Sequence, residues 1–530
     1  MEFPAAGRYL SRRSPVLADN LVATSQPLAA EAGVAMLRRG GNAVDAALAA
    51  AIALTVVEPT GNGIGSDAFA ILWDGAELHG LNASGRSPAA WTPDRFAGAT
   101  EMPERGWESV TVPGCVAAWS ALSERFGRLP FAALFEPAVE IAERGVLVSP
   151  VVAALWAKGA ETLADQPGFA DHFLRDGRAP QAGERFPRPD AAATLREIAE
   201  TRGESFYRGP LAERIAAAAA NAGAALTLDD LAETRPDWCP TISAGFDGAM
   251  LHEIPPNGQG IAACMALGIL AHTGIREHDP DGAAGIHLMA EAMKLALRDA
   301  DAHVSDPAAM ALSTGALLDP DYLAARARLI DPARAQDFGA GAPRAGGTVY
   351  LSTADASGMM VSFIQSNYMG FGSGVVVPGT GVALQNRGAG FTLAEGHPNR
   401  VGPRKRPFHT IIPGFLMRDG AAVMSFGVMG GPMQAQGHLQ MALRTELWGQ
   451  DVQTAADAPR WRVTAGLGLA LETSKAPATV EGLRARGHAI SLEAPDNAFG
   501  FGGAQLIRRL PGGGYAAGSD PRKDGLAIGF

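Results

Sequence analysis

A threonine behind two glycines, Gly346-Gly347-Thr348, opens the run Val349-Tyr350-Leu351-Ser352-Thr353-Ala354, whose alternation and β-branched content predict a strand. A threonine hydroxyl inside a chain is a poor nucleophile. Once the peptide bond before it is cut, the same residue also carries a free α-amine, so nucleophile and general base reside on one residue. Such an amine has a reference pKa of about 7.7–8.0, near the pH at which a general base works best. Glycines suit the position before the cut because they tolerate backbone geometry that other residues resist. On this reading Thr348 attacks the Gly347 carbonyl in an N→O acyl shift and water resolves the ester. The result is a large piece, 1–347, and a small piece, 348–530.

The continuation is an ordered set of polar and glycine-rich motifs. They are Ser362-Phe363-Ile364-Gln365-Ser366-Asn367-Tyr368-Met369-Gly370, Pro378-Gly379-Thr380-Gly381, Gln385-Asn386-Arg387-Gly388 and Gly427-Val428-Met429-Gly430-Gly431-Pro432. Upstream stand Thr24-Ser25-Gln26-Pro27, Gly40-Gly41-Asn42-Ala43-Val44-Asp45-Ala46-Ala47, Val57-Glu58-Pro59, Val112-Pro113-Gly114 and Glu291-Ala292-Met293-Lys294. In this order they resemble the γ-glutamyltransferase family of N-terminal-nucleophile hydrolases over nearly the whole chain. The resemblance implies an α+β fold, a four-layer αββα sandwich with two packed sheets flanked by helices. It implies one intertwined unit made by a self-cleaved precursor, free of cofactor, with homodimers of the subunit pair left open. It also implies an acyl-enzyme on Thr348, resolved by water or an amine acceptor. Ser366 matches the family's second hydroxyl, which bonds to the nucleophile; a hydroxyl both donates and accepts, so serine serves where threonine is usual. Gly430 and Gly431 match the pair whose N–H groups form the oxyanion hole, where each lost donor costs about 10²–10³ in rate.

The acyl pocket departs from the family pattern. The arginine expected four residues before Pro88 is Ser84, leaving Arg86 as the arginine of that loop. The acid that would hold an α-amino group falls on Gly390, and its neighbouring glutamine falls on Arg387. The asparagine after the second hydroxyl falls on Tyr368, beside Asn367, and two carboxylate-binding serines fall on His409 and Thr410. An ammonium in a pocket without a carboxylate loses hydration and gains no ion pair. Arg387 adds positive charge instead, which favours an acidic acyl group. This resembles a divergent branch with cephalosporin-acylase-like and oxamate-amidase-like members. Three readings therefore stand: γ-glutamyl transfer or glutathione hydrolysis, hydrolysis of another amide, and, from a different class, an uncleaved binding protein. Arg400, Arg404, Lys405 and Arg406 lie where the family has a lid over the pocket.

Bulk properties narrow the classes further. There are 44 Lys+Arg against 55 Asp+Glu, a net charge of −11, which argues against a nucleic-acid surface and for a small-molecule partner. Cys115, Cys239 and Cys264 have neither disulfide-framework nor metal spacing, and the eleven histidines are scattered. Residues 1–8 lack a signal-peptide apolar core, and the apolar run 46–57 is too short for a bilayer, so a cytoplasmic protein is expected. Gly61-Asn62-Gly63-Ile64-Gly65 imitates a dinucleotide loop but follows a helix and precedes a strand, the reverse of the required order. Periodicity predicts helices over 28–39, 45–57, 191–201, 211–222, 226–233, 261–271, 284–304 and 434–448. Strands are expected over 68–73, 78–82, 251–254, 348–354, 359–366, 381–385, 411–417, 421–426, 460–463 and 467–472, with a glycine- and proline-rich linker over 331–347.

Overall fold

The computed structural model describes residues 13–339, 346–495 and 500–530. Gly347–Ala354 and Met360–Tyr368 form an antiparallel hairpin in which every residue is buried, so both faces of these strands must be covered. They are central in a seven-stranded sheet ordered Leu526–Gly529, Leu21–Thr24, Gly347–Ala354, Met360–Tyr368, Asp67–Trp73, Leu78–Ala83, Asp237–Cys239. A second seven-stranded sheet runs Val16–Ala18, Tyr515–Ser519, Ala504–Arg509, Ala421–Val428, Gly414–Arg418, Ala249–Glu253, Ile242–Phe246. All pairings within both sheets are antiparallel.

The sheets pack face to face through Phe69, Ile71, Tyr350, Met360 and Ile364 on one side and Phe415, Met417 and Ile507 on the other. Pro27–Arg38, Ala43–Val57 and Cys115–Phe126 cover the outer face of the first sheet. Gly260–Leu270, Ala283–His303 and Met433–Glu446 cover the second. The result is the expected αββα sandwich. The run 43–57, apolar all round, is a wholly buried helix whose start is set by a capping box between Asn42 and Asp45. Each sheet draws strands from both sides of residue 348.

Several boundaries differ from expectation. The 411–417 strand begins only at Gly414, because 409–412 is pulled into hydrogen bonds with Asn257, Gln259 and Gln434. The 381–385 strand shrinks to Val382–Ala383. Trp461–Val463 and Gly468–Glu472 join Ala489–Glu493 in a separate small sheet. Leu21–Thr24, Ala504–Arg509, Tyr515–Ser519 and Leu526–Gly529 were not expected as strands; Leu21–Thr24 is buried on both faces and shows no alternation. Residues 340–345 of the expected linker lie outside the described residues. No described helix is long and apolar enough to cross a membrane.

Candidate active site

Thr348 stands near the start of a central strand, opposite a shift in register: Gly347 pairs with Tyr368 but Val349 pairs with Gln365. The extra residue in the facing strand is a β-bulge, which re-aims side chains locally. Ser366 is thereby brought to the Gly347–Thr348 peptide. Thr348 Oγ1 lies 2.8 Å from the Gly347 carbonyl oxygen and 3.2 Å from Ser366 Oγ. Ser366 Oγ is 2.7 Å from the same carbonyl and accepts the Tyr368 N–H at 2.8 Å. An amide only donates, so the serine proton is directed to the Gly347 oxygen. Tyr368 holds φ +78°, a left-handed conformation costly for a bulky residue and concentrated at functional sites. A Cβ on Gly346 would come within 2.9 Å of Tyr368 O, so that glycine is required by close approach.

Gly430 and Gly431 link the strand Ala421–Val428 to the helix Met433–Glu446, at φ +120° and +60°. Their carbonyls accept the N–H groups of Met433 and Gln434. Among the described residues, neither glycine N–H has an acceptor. A Cβ on Gly346 would stand 3.2 Å from Gly431 Cα, so this turn abuts the segment before Thr348. Gln259 Nε2 donates to Gly431 O at 2.9 Å and to Thr410 O at 2.5 Å, tying the turn to the 409–412 segment.

That segment carries Arg387's anchor. Arg387 Nη1 donates to Thr410 Oγ1 at 2.8 Å, and its guanidinium carbon lies 4.7 Å from the centre of the Tyr368 ring. Arg387 is 1% exposed, yet its Nε and Nη2 have no acceptor among the described residues. Burial holds its pKa down at about 10 despite the attraction of Asp67 and Tyr368. His409 is fully buried; its Nδ1 faces the Ile411 N–H, so its Nε2–H donates to Asp67 Oδ2 at 3.1 Å. Burial, with Arg387 and Arg406 nearby, holds His409 well below the ordinary histidine range, so it stays neutral. Burial likewise pushes Asp67 up to about 7, although Gly85 and Gly114 N–H groups donate to it. Asn367 Oδ1 accepts from Ser66 Oγ at 2.8 Å.

Arg86 is placed differently. Its side chain is 46% exposed, paired with Asp306 at 3.0 Å and bonded to the Arg404 carbonyl. Arg404 pairs with Glu233, Arg406 with Asp237, and Lys405 donates to the Arg400 carbonyl. These cations bind the strap over 402–406 to its surroundings. At Gly390, a Cβ would meet Phe408 O at 2.6 Å, so the backbone leaves no room for a side chain there.

The sequence reading missed Gln434, Gln259 and Asp67. Gln434 was seen only as a helix start, and Asp67 only as a neighbour of a strand. The histidines are also less scattered than their spacing: His287 Nδ1 meets His488 Nε2 at 2.8 Å, and Glu291 lies beside them. Lys294 Nζ sits 2.7 Å from Glu291 Oε1, supplying a cation there.

An αββα sandwich of two antiparallel sheets is the architecture of the N-terminal-nucleophile hydrolase fold. The family model for gamma-glutamyltranspeptidase matches residues 29–530, and the chain belongs to that family of amide-cleaving enzymes. It is 37% identical to the oxamate amidohydrolase proenzyme of Klebsiella pneumoniae, over 98% of this chain and 99% of the relative. It is 35% identical to the glutathione hydrolase-like YwrD proenzyme of Bacillus subtilis, over 98% of this chain and 100% of the relative. The crystal structure of a cephalosporin acylase from Bacillus halodurans superposes with a TM-score of 0.95 at 45% identity, covering 100% of this chain and 99% of that one.

Proposed function

We propose that this chain is a precursor that cuts itself before Thr348 and then hydrolyses amides through a threonyl ester, the pieces 1–347 and 348–530 remaining in one fold. The reading rests on one observation: the Gly347 carbonyl lies under two hydroxyls, Thr348 Oγ1 at 2.8 Å and Ser366 Oγ at 2.7 Å. In maturation Oγ1 attacks the carbonyl carbon, the C–N bond breaks and frees the Thr348 α-amine, and water then hydrolyses the ester to a Gly347 carboxylate and the Thr348 hydroxyl. In turnover that amine takes the hydroxyl proton, and the free N–H groups of Gly430 and Gly431 receive the oxyanion. Mass spectrometry of purified protein should find a piece beginning at Thr348; an active protein that remains a single 530-residue chain refutes the proposal.

The substrate class follows from Arg387. Two buried, unmatched guanidinium donors are costly unless a ligand supplies acceptors, and a carboxylate matches their fork. We assign the acyl group as one bearing its own carboxylate and no ammonium, as in oxamate. The 37% identical relative named for oxamate supports this. γ-Glutamyl transfer is the second reading, favoured by the relative named as glutathione hydrolase-like. Against it stands Gly390, where a γ-glutamyl ammonium would find no carboxylate. Oxamate, a glutaryl anilide and a γ-glutamyl anilide offered to fully cut protein separate the two. Release from the γ-glutamyl anilide alone overturns the assignment.

A further inference from the structure

Gln434 lies in the first turn of Met433–Glu446, three residues beyond Gly431, and is fully buried. Its Oε1 accepts the Ile412 N–H at 3.0 Å, and its Nε2 lies 3.3 Å from Thr348 Oγ1. The direction of the carboxamide is settled by Ile412. A peptide N–H can only donate, so the oxygen must face it and the NH2 must face the threonine. From this geometry we infer that Gln434 is a catalytic residue whose N–H donates to the nucleophile oxygen of Thr348, an inference that rests on Thr348 being the nucleophile.

The chemistry assigns this bond a role that Ser366 and the glycines do not fill. Ser366 donates to the carbonyl oxygen of the scissile bond. Gln434 donates to the attacking oxygen. As the Oγ1–C bond forms, the hydroxyl proton passes to the α-amine and the electron pair of Oγ1 enters the new bond; the C–N bond of the substrate then breaks, and the α-ammonium hands its proton to the leaving amine. When water later attacks the ester, the α-amine takes a proton from it, the C–Oγ1 bond breaks with its electron pair on Oγ1, and the α-ammonium returns that proton to Oγ1. At both points Oγ1 is more negative than in the resting hydroxyl or the ester. A donor already in place strengthens as that charge grows, and so lowers the barrier more than it stabilises the ground state. The bond to Ile412 holds the amide in position, so little reorganisation is needed.

Gln434→Glu keeps the length of the side chain and the acceptor for Ile412, but an ionised carboxylate has no proton to donate. Gln434→Met removes both bonds at similar volume. Expected for both is a fall of about 10- to 100-fold in kcat of the cut protein, the range of one hydrogen bond to a charged group, with KM little changed and self-cleavage slowed in parallel. The rate of Gln434→Glu relative to wild type should climb as pH falls, because the introduced carboxyl, once protonated, regains an O–H donor, while the relative rate of Gln434→Met stays flat. Melting temperatures check folding, and Gln434→Asn, which withdraws the amide from Thr348, replaces a variant that fails to fold. Wild-type kcat and cleavage in either variant, or a pH-independent ratio for Gln434→Glu, overturns the inference. Thr348→Ala separates the two levels. If it is uncut and inactive while the Gln434 variants behave as wild type, only this inference falls; if it is cut and active, the Thr348 reading falls with it.

Discussion

Replacing Arg387 by methionine should weaken catalysis while leaving the fold as stable or slightly more so. The guanidinium is 1% exposed, and its pKa is held near 10 by burial, against an ordinary value of 12.5. That shift corresponds to about 3 kcal/mol of unfavourable burial of the cation at neutral pH. Methionine removes this term. It also loses the 2.8 Å hydrogen bond to Thr410, about 1 kcal/mol, and the contact with the Tyr368 ring, about 1 kcal/mol. The balance favours the variant by about 1 kcal/mol, so its melting temperature should match or slightly exceed that of wild type. Substrate binding changes the other way. A carboxylate on Nε and Nη2 makes two charge-assisted hydrogen bonds of about 1.5–3 kcal/mol each, so kcat/KM for oxamate should fall by about 10²-fold or more. Self-cleavage should persist, because the Gly346-Gly347 segment offers no carboxylate. Oxamate hydrolysis, calorimetry and a denaturing gel on one preparation read all three. A melting temperature several degrees lower with kcat/KM intact would show that Arg387 is a structural cation, and the pocket assignment would fail.

Other consequences can be measured with the same material. Ser366→Ala should slow self-cleavage by about tenfold or more, since the Gly347 carbonyl loses a 2.7 Å donor, and Ser366→Thr should largely restore it; a gel time course reads both. Gly430→Ala places a side chain at φ +120° and should lower kcat by about 10²–10³ with modest change in KM, as steady-state kinetics will show. Asp67 and Glu58 both titrate near 7 in the folded chain because burial disfavours their charge. Their folded pKa values exceed the unfolded ones, so this stabilising contribution is complete below about pH 4 and is lost as pH rises to about 7. Asp67→Asn should remove about 3 kcal/mol of the fall between pH 5 and pH 8, leaving the Glu58 share, in denaturant titrations at those two pH values.

The chemistry was legible where it depends on local order. Gly346-Gly347-Thr348 before a strand is common by itself; it became a candidate nucleophile through the ordered motifs that carry Ser366 and Gly430-Gly431. The buried helix expected over 45–57, found over Ala43–Val57, was plain, since a run with no polar face can only be interior. Gln434 and Asp67 were not legible. A glutamine at a helix start and an aspartate before a strand are ordinary on the page, and both acquire meaning only through partners 86 and 342 residues distant. Arg86 shows the opposite failure: proximity in sequence suggested a pocket arginine, whereas a pairing with Asp306, 220 residues away, holds it half-exposed.

Sequence alone therefore determined which residues can react, because bond-making groups and the glycines that let backbone approach them are properties of short segments. Tertiary structure decided what surrounds them. The bulge that turns Ser366 onto the Gly347 carbonyl, the Gln259 bridge between Thr410 and Gly431, and the burial that leaves Arg387 with unmatched donors all arise where segments distant in the chain meet. Desolvation and hydrogen-bond direction depend on those meetings, and no local pattern of residue types encodes them.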